Sequence, residues 1–189
     1  NNKLEIISRE IEFRGPDDYG SWTEPNEGIA LAHRRLSIQD LSSSGHQPMK
    51  SDKERYVMVF NGEIYNHFQM REYLSKNHLQ DHTWNGRSDS ETLLALFEKF
   101  EFSEVLNKIK GMFAIVLWDR EERTIYLARD RFGEKPIYYG FSEFNELSSN
   151  NLFCFSSDLN FLKRTSRESL SIDEISLSNY FNYGYVKPP

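Results

Sequence analysis

Three short polar clusters in this chain hold residue types that could do chemistry together: Arg35-Leu36-Ser37-Ile38, Asn61-Gly62-Glu63 and Ser88-Asp89-Ser90-Glu91. Between them they supply a guanidinium, the carboxylates of Glu63 and Asp89, and an asparagine-glycine donor pair. That inventory suits a zwitterionic amino acid, with arginine for its carboxylate and an acidic side chain for its ammonium. A side-chain amide beside a glycine N–H could also hold a developing oxyanion. Each cluster has an ordinary reading as well. Arg35 could be a surface cation, Asn61-Gly62 a tight turn after the apolar run 56–60, and Asp89 a first-turn charge favoured by a helix dipole. A turn, however, requires neither Glu63 nor the second asparagine, Asn66.

Other chemistries find little support. There is no G-x-S-x-G, no phosphate-binding loop and no G-x-G-x-x-G. The five histidines show no zinc spacing. His78 and His82 sit four apart with no third ligand near them, so no metal site is expected. Cys154 is the only cysteine. It excludes an intrachain disulfide, fits a reducing, cytoplasmic setting, and in Phe153-Cys154-Phe155 reads as a small buried strand residue. The net charge of −6 argues against nucleic-acid binding. No apolar run approaches the ~18 residues of a membrane span, and no signal peptide is visible.

These clusters must be positioned by folded elements. Leu4, Ile7 and Ile11 predict a helix over 3–12, closed by Gly15-Pro16. Strands are predicted at 29–32 and 55–60, with a loop over 40–48. Helices are predicted at 67–76, 88–100 and 103–110, the second capped by Ser88 with Glu91 three residues on. The period then changes to two, and "MFAIVLWD" and "TIYLARD" flank a turn at 120–123, which predicts a hairpin. "PIYYGF" and "LFCFSS" predict another, with a last helix around Leu177, Tyr180 and Phe181. Strands joined by hairpins, with helices interspersed, indicate an α+β domain with antiparallel sheets.

Six motifs in order, "FRGPDDYG", "AHRRLSIQDLSSSGHQPM", "VFNGEIYNHFQMREYL", "SDSETLLALFEKF", "GMFAIVLWDREERTIYLARDRFGEKPIYYG" and "YFNYGYVKPP", cover nearly the whole chain. Together they resemble the class II glutamine amidotransferase (glutaminase) domain of the asparagine synthetase family. The resemblance implies the N-terminal-nucleophile hydrolase fold, a four-layer αββα sandwich of two antiparallel sheets. It implies an amidotransferase domain over 1–182, with 183–189 beginning a linker. The implied reaction is hydrolysis of L-glutamine to glutamate and ammonia. The ammonia would pass to a C-terminal synthetase domain of the same polypeptide, where ATP and magnesium would serve to make asparagine from aspartate. No cofactor is implied within this domain, and a homodimer is compatible with the resemblance. Relatives in the same branch use sugar or peptide acceptors, and some have become catalytically silent.

The resemblance also assigns roles. Asn61 and the Gly62 N–H would form the oxyanion hole. Arg35 would bind the substrate α-carboxylate and Asp89 its α-ammonium, with help from Glu63. Leu36, Ser37, Ile38 and Gln39 would line the pocket. Arg131 to Gly140 would be structural. The family's nucleophile is an N-terminal cysteine, which would stand upstream of Asn1, so the 189-residue chain alone is expected to be inactive.

Overall fold

The computed structural model describes residues 2–37, 42–78, 83–142, 152–165 and 171–186. The chain divides into two compact units, 1–137 and 138–189. All three polar clusters belong to the first.

The first unit is organised around two nine-residue antiparallel strands, β4 (Tyr56–Ile64) and β5 (Gly111–Asp119), in register from Tyr56 opposite Asp119 to Ile64 opposite Gly111. Strand β6 (Thr124–Arg129) pairs with the far edge of β5, and the two-residue β3 (Met49–Lys50) pairs with β4. Side chains alternate across a strand. Met58, Phe60, Ile64, Phe113, Ile115 and Leu117 therefore share one face, which packs on helices α2 (His67–Asn77), α3 (Asp89–Phe97) and α4 (Phe102–Lys108) through Leu74, Leu93, Leu96, Phe97 and Val105. Val57, Val59, Val116 and Trp118 point the other way and are also buried. Burial on both faces explains why these stretches read as continuous apolar runs.

A ribbon of β1 (Asp18–Glu24) and β2 (Ile29–Arg35) serves that second face, with Leu31 buried. It is tied to β5 at one end. Glu24 accepts from Trp118 Nε1 at 2.9 Å, and its other oxygen accepts from Arg120 Nε at 3.0 Å and Nη2 at 2.7 Å. Helix α1 (Asn2–Ser8) packs on β2.

The second unit holds a hairpin, β7 (Tyr138–Ser142) and β8 (Leu152–Ser156), with α5 (Leu159–Thr165) against it and α6 (Glu174–Tyr183) following. Helix α6 begins where Asp173 accepts from the Ser176 N–H and ends at Gly184 with φ 76°. Cys154 lies in β8 as expected, but it is half-buried rather than fully buried.

The predicted elements are present with shifted limits. The helix over 3–12 stops being α-helical at Ser8, whose hydroxyl donates to the Glu5 carbonyl at 2.8 Å; the chain then tightens into a 3-10 turn over Arg9–Arg14. Strand β1 went unpredicted because Asp18-Tyr19-Gly20-Ser21-Trp22-Thr23-Glu24 shows no apolar face.

Arg131 to Gly140 begins as a loop built on one carboxylate. Asp130 accepts four backbone N–H groups, from Phe113 (3.2 Å), Phe132 (3.1 Å), Glu134 (2.9 Å) and Lys135 (3.0 Å). Burial alone would raise its pKa, but the donors outweigh it and hold the carboxyl down at about 2. A folded-state value below the unfolded one gives stability that is present above pH ~4 and is lost as the pH falls toward 2. The shift from 3.8 corresponds to about 2 kcal/mol. Asp130→Asn should therefore lose about that much at pH 7 and flatten the acid limb of stability between pH 4 and 2. Urea unfolding across that pH range measures both; an unaltered limb would remove Asp130 from its role.

Candidate functional site

The Asn61-Gly62 pair is not a turn. Strand β4 runs straight through it to Ile64, so the expected break after Phe60 is corrected. The signal for a turn is overridden by pairing with β5, where Asn61 faces Ala114 and Gly62 faces Phe113. The glycine is required by this close approach, since a Cβ at position 62 would lie 2.2 Å from the Met112 carbonyl oxygen.

Alternate residues of an antiparallel strand send their backbone groups to opposite edges. Those of Tyr56, Met58, Phe60, Gly62 and Ile64 leave β4 on the edge away from β5. Beyond β3 this edge has no strand partner among the described residues, and side chains take over. Gln47 accepts the Phe60 N–H through Oε1 at 2.6 Å and donates to the Phe60 carbonyl through Nε2 at 3.1 Å. His33 Nε2 lies 3.2 Å from the same carbonyl. Burial holds the His33 pKa down at about 4, so the ring is neutral at pH 7, and a carbonyl partner requires Nε2 to carry the proton. Four residues on, Asp89 Oδ2 accepts the Ile64 N–H at 2.9 Å. Between the two occupied positions, the Gly62 N–H makes no hydrogen bond among the described residues. Asn61, Gly62 and Glu63 are also the least buried part of β4.

Helix α3 delivers Asp89 from the other side. Ser88 caps it, its Oγ accepting the Glu91 N–H at 3.3 Å. Glu91 does not complete a capping box; its carboxylate takes the N–H groups of Asn85 (2.7 Å) and Gly86 (3.1 Å). Arg71 on α2 secures this corner by donating to Gly86 O, Ser88 O and Thr92 Oγ1 while lying over Trp84. Asp89 is only 6% exposed. Its burial raises the carboxyl pKa, hydrogen bonds from the Ile64, Ser90 and Asp89 N–H groups oppose this, and the charge of Glu63 raises it further. The charge of Glu63 thus adds to that of Asp89 near this N–H, a setting that favours a cation.

Arg35 ends β2. Its Nη1 donates to Ser42 O at 2.9 Å, and its guanidinium lies against Gly45, where a Cβ would be 2.0 Å from Nη2. The Ser37 N–H donates to Asp17 at 2.7 Å, and Leu36 is exposed at 55%. Ile38 and Gln39 lie outside the described residues. Arg34, next door, is committed elsewhere, over the Tyr19 ring and 3.5 Å from Glu12.

The first unit therefore brings Asn61, Gly62, Glu63 and Asp89 to one strand edge, with Arg35 ending the ribbon strand whose His33 binds that edge. Sequence reading missed Gln47, His33 and Arg71. Gln47 stands in a stretch rich in Ser, Gly and Pro that reads only as loop, and nothing in its type marks it as a surrogate strand.

Known proteins resemble this chain along its length. The family described as the glutamine amidotransferase domain matches residues 1–189. The glutamine-hydrolyzing asparagine synthetase 1 of Bacillus subtilis (strain 168) is 34% identical over 186 residues, which are 98% of this chain and 27% of that protein. A putative glutamine-hydrolyzing asparagine synthetase 2 of Methanocaldococcus jannaschii is 32% identical over 99% of this chain and 37% of its own length. The glutamine-hydrolyzing asparagine synthetase B of Escherichia coli (strain K12) is 38% identical over 75% of this chain and 24% of its length. The chain thus spans between 24% and 37% of these relatives. Among solved structures, the glutamine phosphoribosylpyrophosphate amidotransferase of B. subtilis superposes with a TM-score of 0.55 at 19% identity, covering 71% of this chain and 28% of that one. That likeness bears out the fold class, an α+β N-terminal-nucleophile hydrolase fold with antiparallel sheets.

The raised carboxyl of Asp89 yields a stability test. A folded-state pKa above the unfolded one means that keeping Asp89 charged costs stability at neutral pH, a cost relieved as the pH falls through that folded value. Asp89→Asn keeps an oxygen for the Ile64 N–H and removes the buried charge. The variant should melt no lower than wild type at pH 7, and calorimetry at pH 7 would contradict this if Asn lowered the melting temperature by several degrees.

Proposed function

Because this chain belongs to the glutamine amidotransferase domain family, we propose that the edge of β4 is the site at which the intact protein hydrolyses L-glutamine to glutamate and ammonia. The observation that carries the reading is the Gly62 N–H beside Asn61, unoccupied among the described residues and flanked by positions already filled by Gln47 and Asp89. Amide hydrolysis passes through a tetrahedral oxyanion, and two fixed donors, the Asn61 side-chain N–H and the Gly62 N–H, would stabilise it. Arg35 would bind the α-carboxylate and Asp89 the α-ammonium, helped by Glu63; the ammonium relieves the mutual repulsion of the two carboxylates. Leu36, Ser37, Ile38 and Gln39 would line the pocket. The resemblance implies a thiol nucleophile. Cys154 is the only cysteine of this chain, lies in the other unit and has its thiol pushed up by burial, so it is given no part.

The whole protein's role is part of the proposal. Ammonia released here would pass to an ATP- and magnesium-using synthetase domain of the same polypeptide, which would make asparagine from aspartate. The names and greater lengths of the curated relatives support this.

The test uses the intact gene product. Asn61→Asp replaces a donor by a negative charge facing a developing negative charge, and kcat for ammonia release from glutamine should fall about 10²–10³-fold with little change in KM. Free ammonia should still drive the synthetase reaction. Near wild-type hydrolysis by a folded Asn61→Asp protein would sink the oxyanion-hole assignment. An intact wild-type protein releasing no ammonia would favour a silent structural domain.

Carboxylate recognition is tested at Gly45. The atoms nearest to a methyl group there are the far end of the Arg35 side chain, which can move aside, so folding should be spared. Gly45→Ala and Arg35→Ala should both raise KM for glutamine, the latter by roughly 10- to 100-fold for loss of a charge-assisted partner. Steady-state kinetics decide it: unchanged KM in both would take Arg35 out of the pocket. Arg34→Ala is no neutral control, because Arg34 is packed on Tyr19 and should act on stability.

A further inference from the structure

We infer that Gln47 is a positioning residue for the oxyanion hole, acting through the peptide that joins Phe60 to Asn61. The inference rests on the amidotransferase reading and asks what keeps its donors in place. The Phe60 carbonyl and the Asn61 N–H belong to one peptide group. The N–H lies in the β5 ladder opposite Ala114, and the carbonyl is fixed from the other edge by Gln47 Nε2 at 3.1 Å and His33 Nε2 at 3.2 Å. The same Gln47 amide takes the Phe60 N–H at 2.6 Å. One side chain therefore makes both hydrogen bonds that a paired strand residue would make. A real strand extending β3 backwards from Met49, whose partner is Met58, would go on to cover Gly62. An amide side chain ends after one residue, and the Gly62 N–H is left open.

Gln47 is 5% exposed, so its amide has no water to turn to. Its Nε2 also lies 3.5 Å from Ser90 Oγ, in the first turn of the helix that carries Asp89. Its own loop, 42–48, includes Ser42 and Gly45, two residues that Arg35 touches. The oxyanion strand, the helix bearing Asp89 and the loop seating Arg35 thus share one side chain. His33 is the second holder of the same carbonyl and is neutral at pH 7, so protonation plays no part in the clamp near neutrality.

The test is Gln47→Glu in the intact protein. Glutamate is isosteric and can still accept the Phe60 N–H, but its second oxygen confronts the Phe60 carbonyl. Glutamine-dependent ammonia release should lose kcat by about tenfold or more, as a small misplacement of a catalytic donor does, with KM changed by less than about threefold. The effect should also be non-additive with Asn61→Ala. Once the Asn61 donor is gone, Gln47→Glu should cost clearly less than it does alone, because both act through the same donors. A folded Gln47→Glu protein with kcat within about twofold of wild type overturns the inference, and so does full additivity with Asn61→Ala, which would mark Gln47 as merely structural. If Gln47→Glu does not fold, His33→Phe, which removes one of the two donors on the same carbonyl, is judged by the same kcat and additivity criteria. A wild-type protein that releases no ammonia fails at the amidotransferase reading itself; a hydrolysing wild type with an indifferent Gln47 fails here alone.

Discussion

The outer edge of β4 is the constraint on which the rest of the pocket depends. A strand in the middle of a folded unit cannot leave its backbone donors and acceptors bare, since each unsatisfied buried group costs about 1–3 kcal/mol. Here β3 supplies only two residues of pairing, so the remaining positions must be filled some other way. Gln47, His33 and Asp89 fill two of them with side-chain atoms, and each comes from a different element. The position left over is the half-exposed Gly62. The ribbon, the loop over 42–48 and the first turn of α3 are therefore brought together by one need, that of a strand short of a neighbour. Their chemistry-bearing residues arrive as passengers.

The aspartates of this unit show what separates a structural carboxylate from one held ready for a ligand. Asp130 and Asp119 are both buried, and both have pKa values below the ordinary range despite the cost of burial. Asp130 has its four N–H donors, and Asp119 has the Arg55 guanidinium with the Glu121 and Glu122 N–H groups. Asp89 is equally buried, but its shift goes the other way, with burial unmatched and Glu63 close by. A fold that needed Asp89 only for its own stability could have satisfied it as it satisfies the other two. A buried carboxylate whose pKa is raised rather than lowered is a common signature of a functional site.

Much of this was legible in the sequence. The core strands β4 and β5 and helix α3 announce themselves by apolar runs and helical spacing because packing on both sides of the sheet leaves little choice of residue. The three polar clusters could be picked out by type, and the resemblance assigned their roles. What could not be read was how they come together. Asn61-Gly62 carries a turn signal, and only the pairing with Ala114 and Phe113 turns it into strand. Strand β1 has its two aromatic residues, Tyr19 and Trp22, on opposite faces among polar neighbours and so has no periodic signature. Gln47 and Arg71 act through long-range hydrogen bonds to backbone atoms, which any residue type offers equally. Their partners are invisible until the fold is known.

The short β3 has a further consequence. An unpaired strand edge is a template onto which a strand from another molecule can add, and proteins commonly guard against this with charges, bulges or prolines. Strand β4 is strongly apolar from Tyr56 to Phe60 and would be a hazard if its edge were open. Because Gln47 and Asp89 occupy the hydrogen-bonding positions on either side of Gly62, an incoming chain meets, among the described residues, a single vacant N–H where it needs a row of them. The side chains that frame the proposed site thus also fragment this edge against intermolecular strand addition, so one set of atoms would serve both purposes.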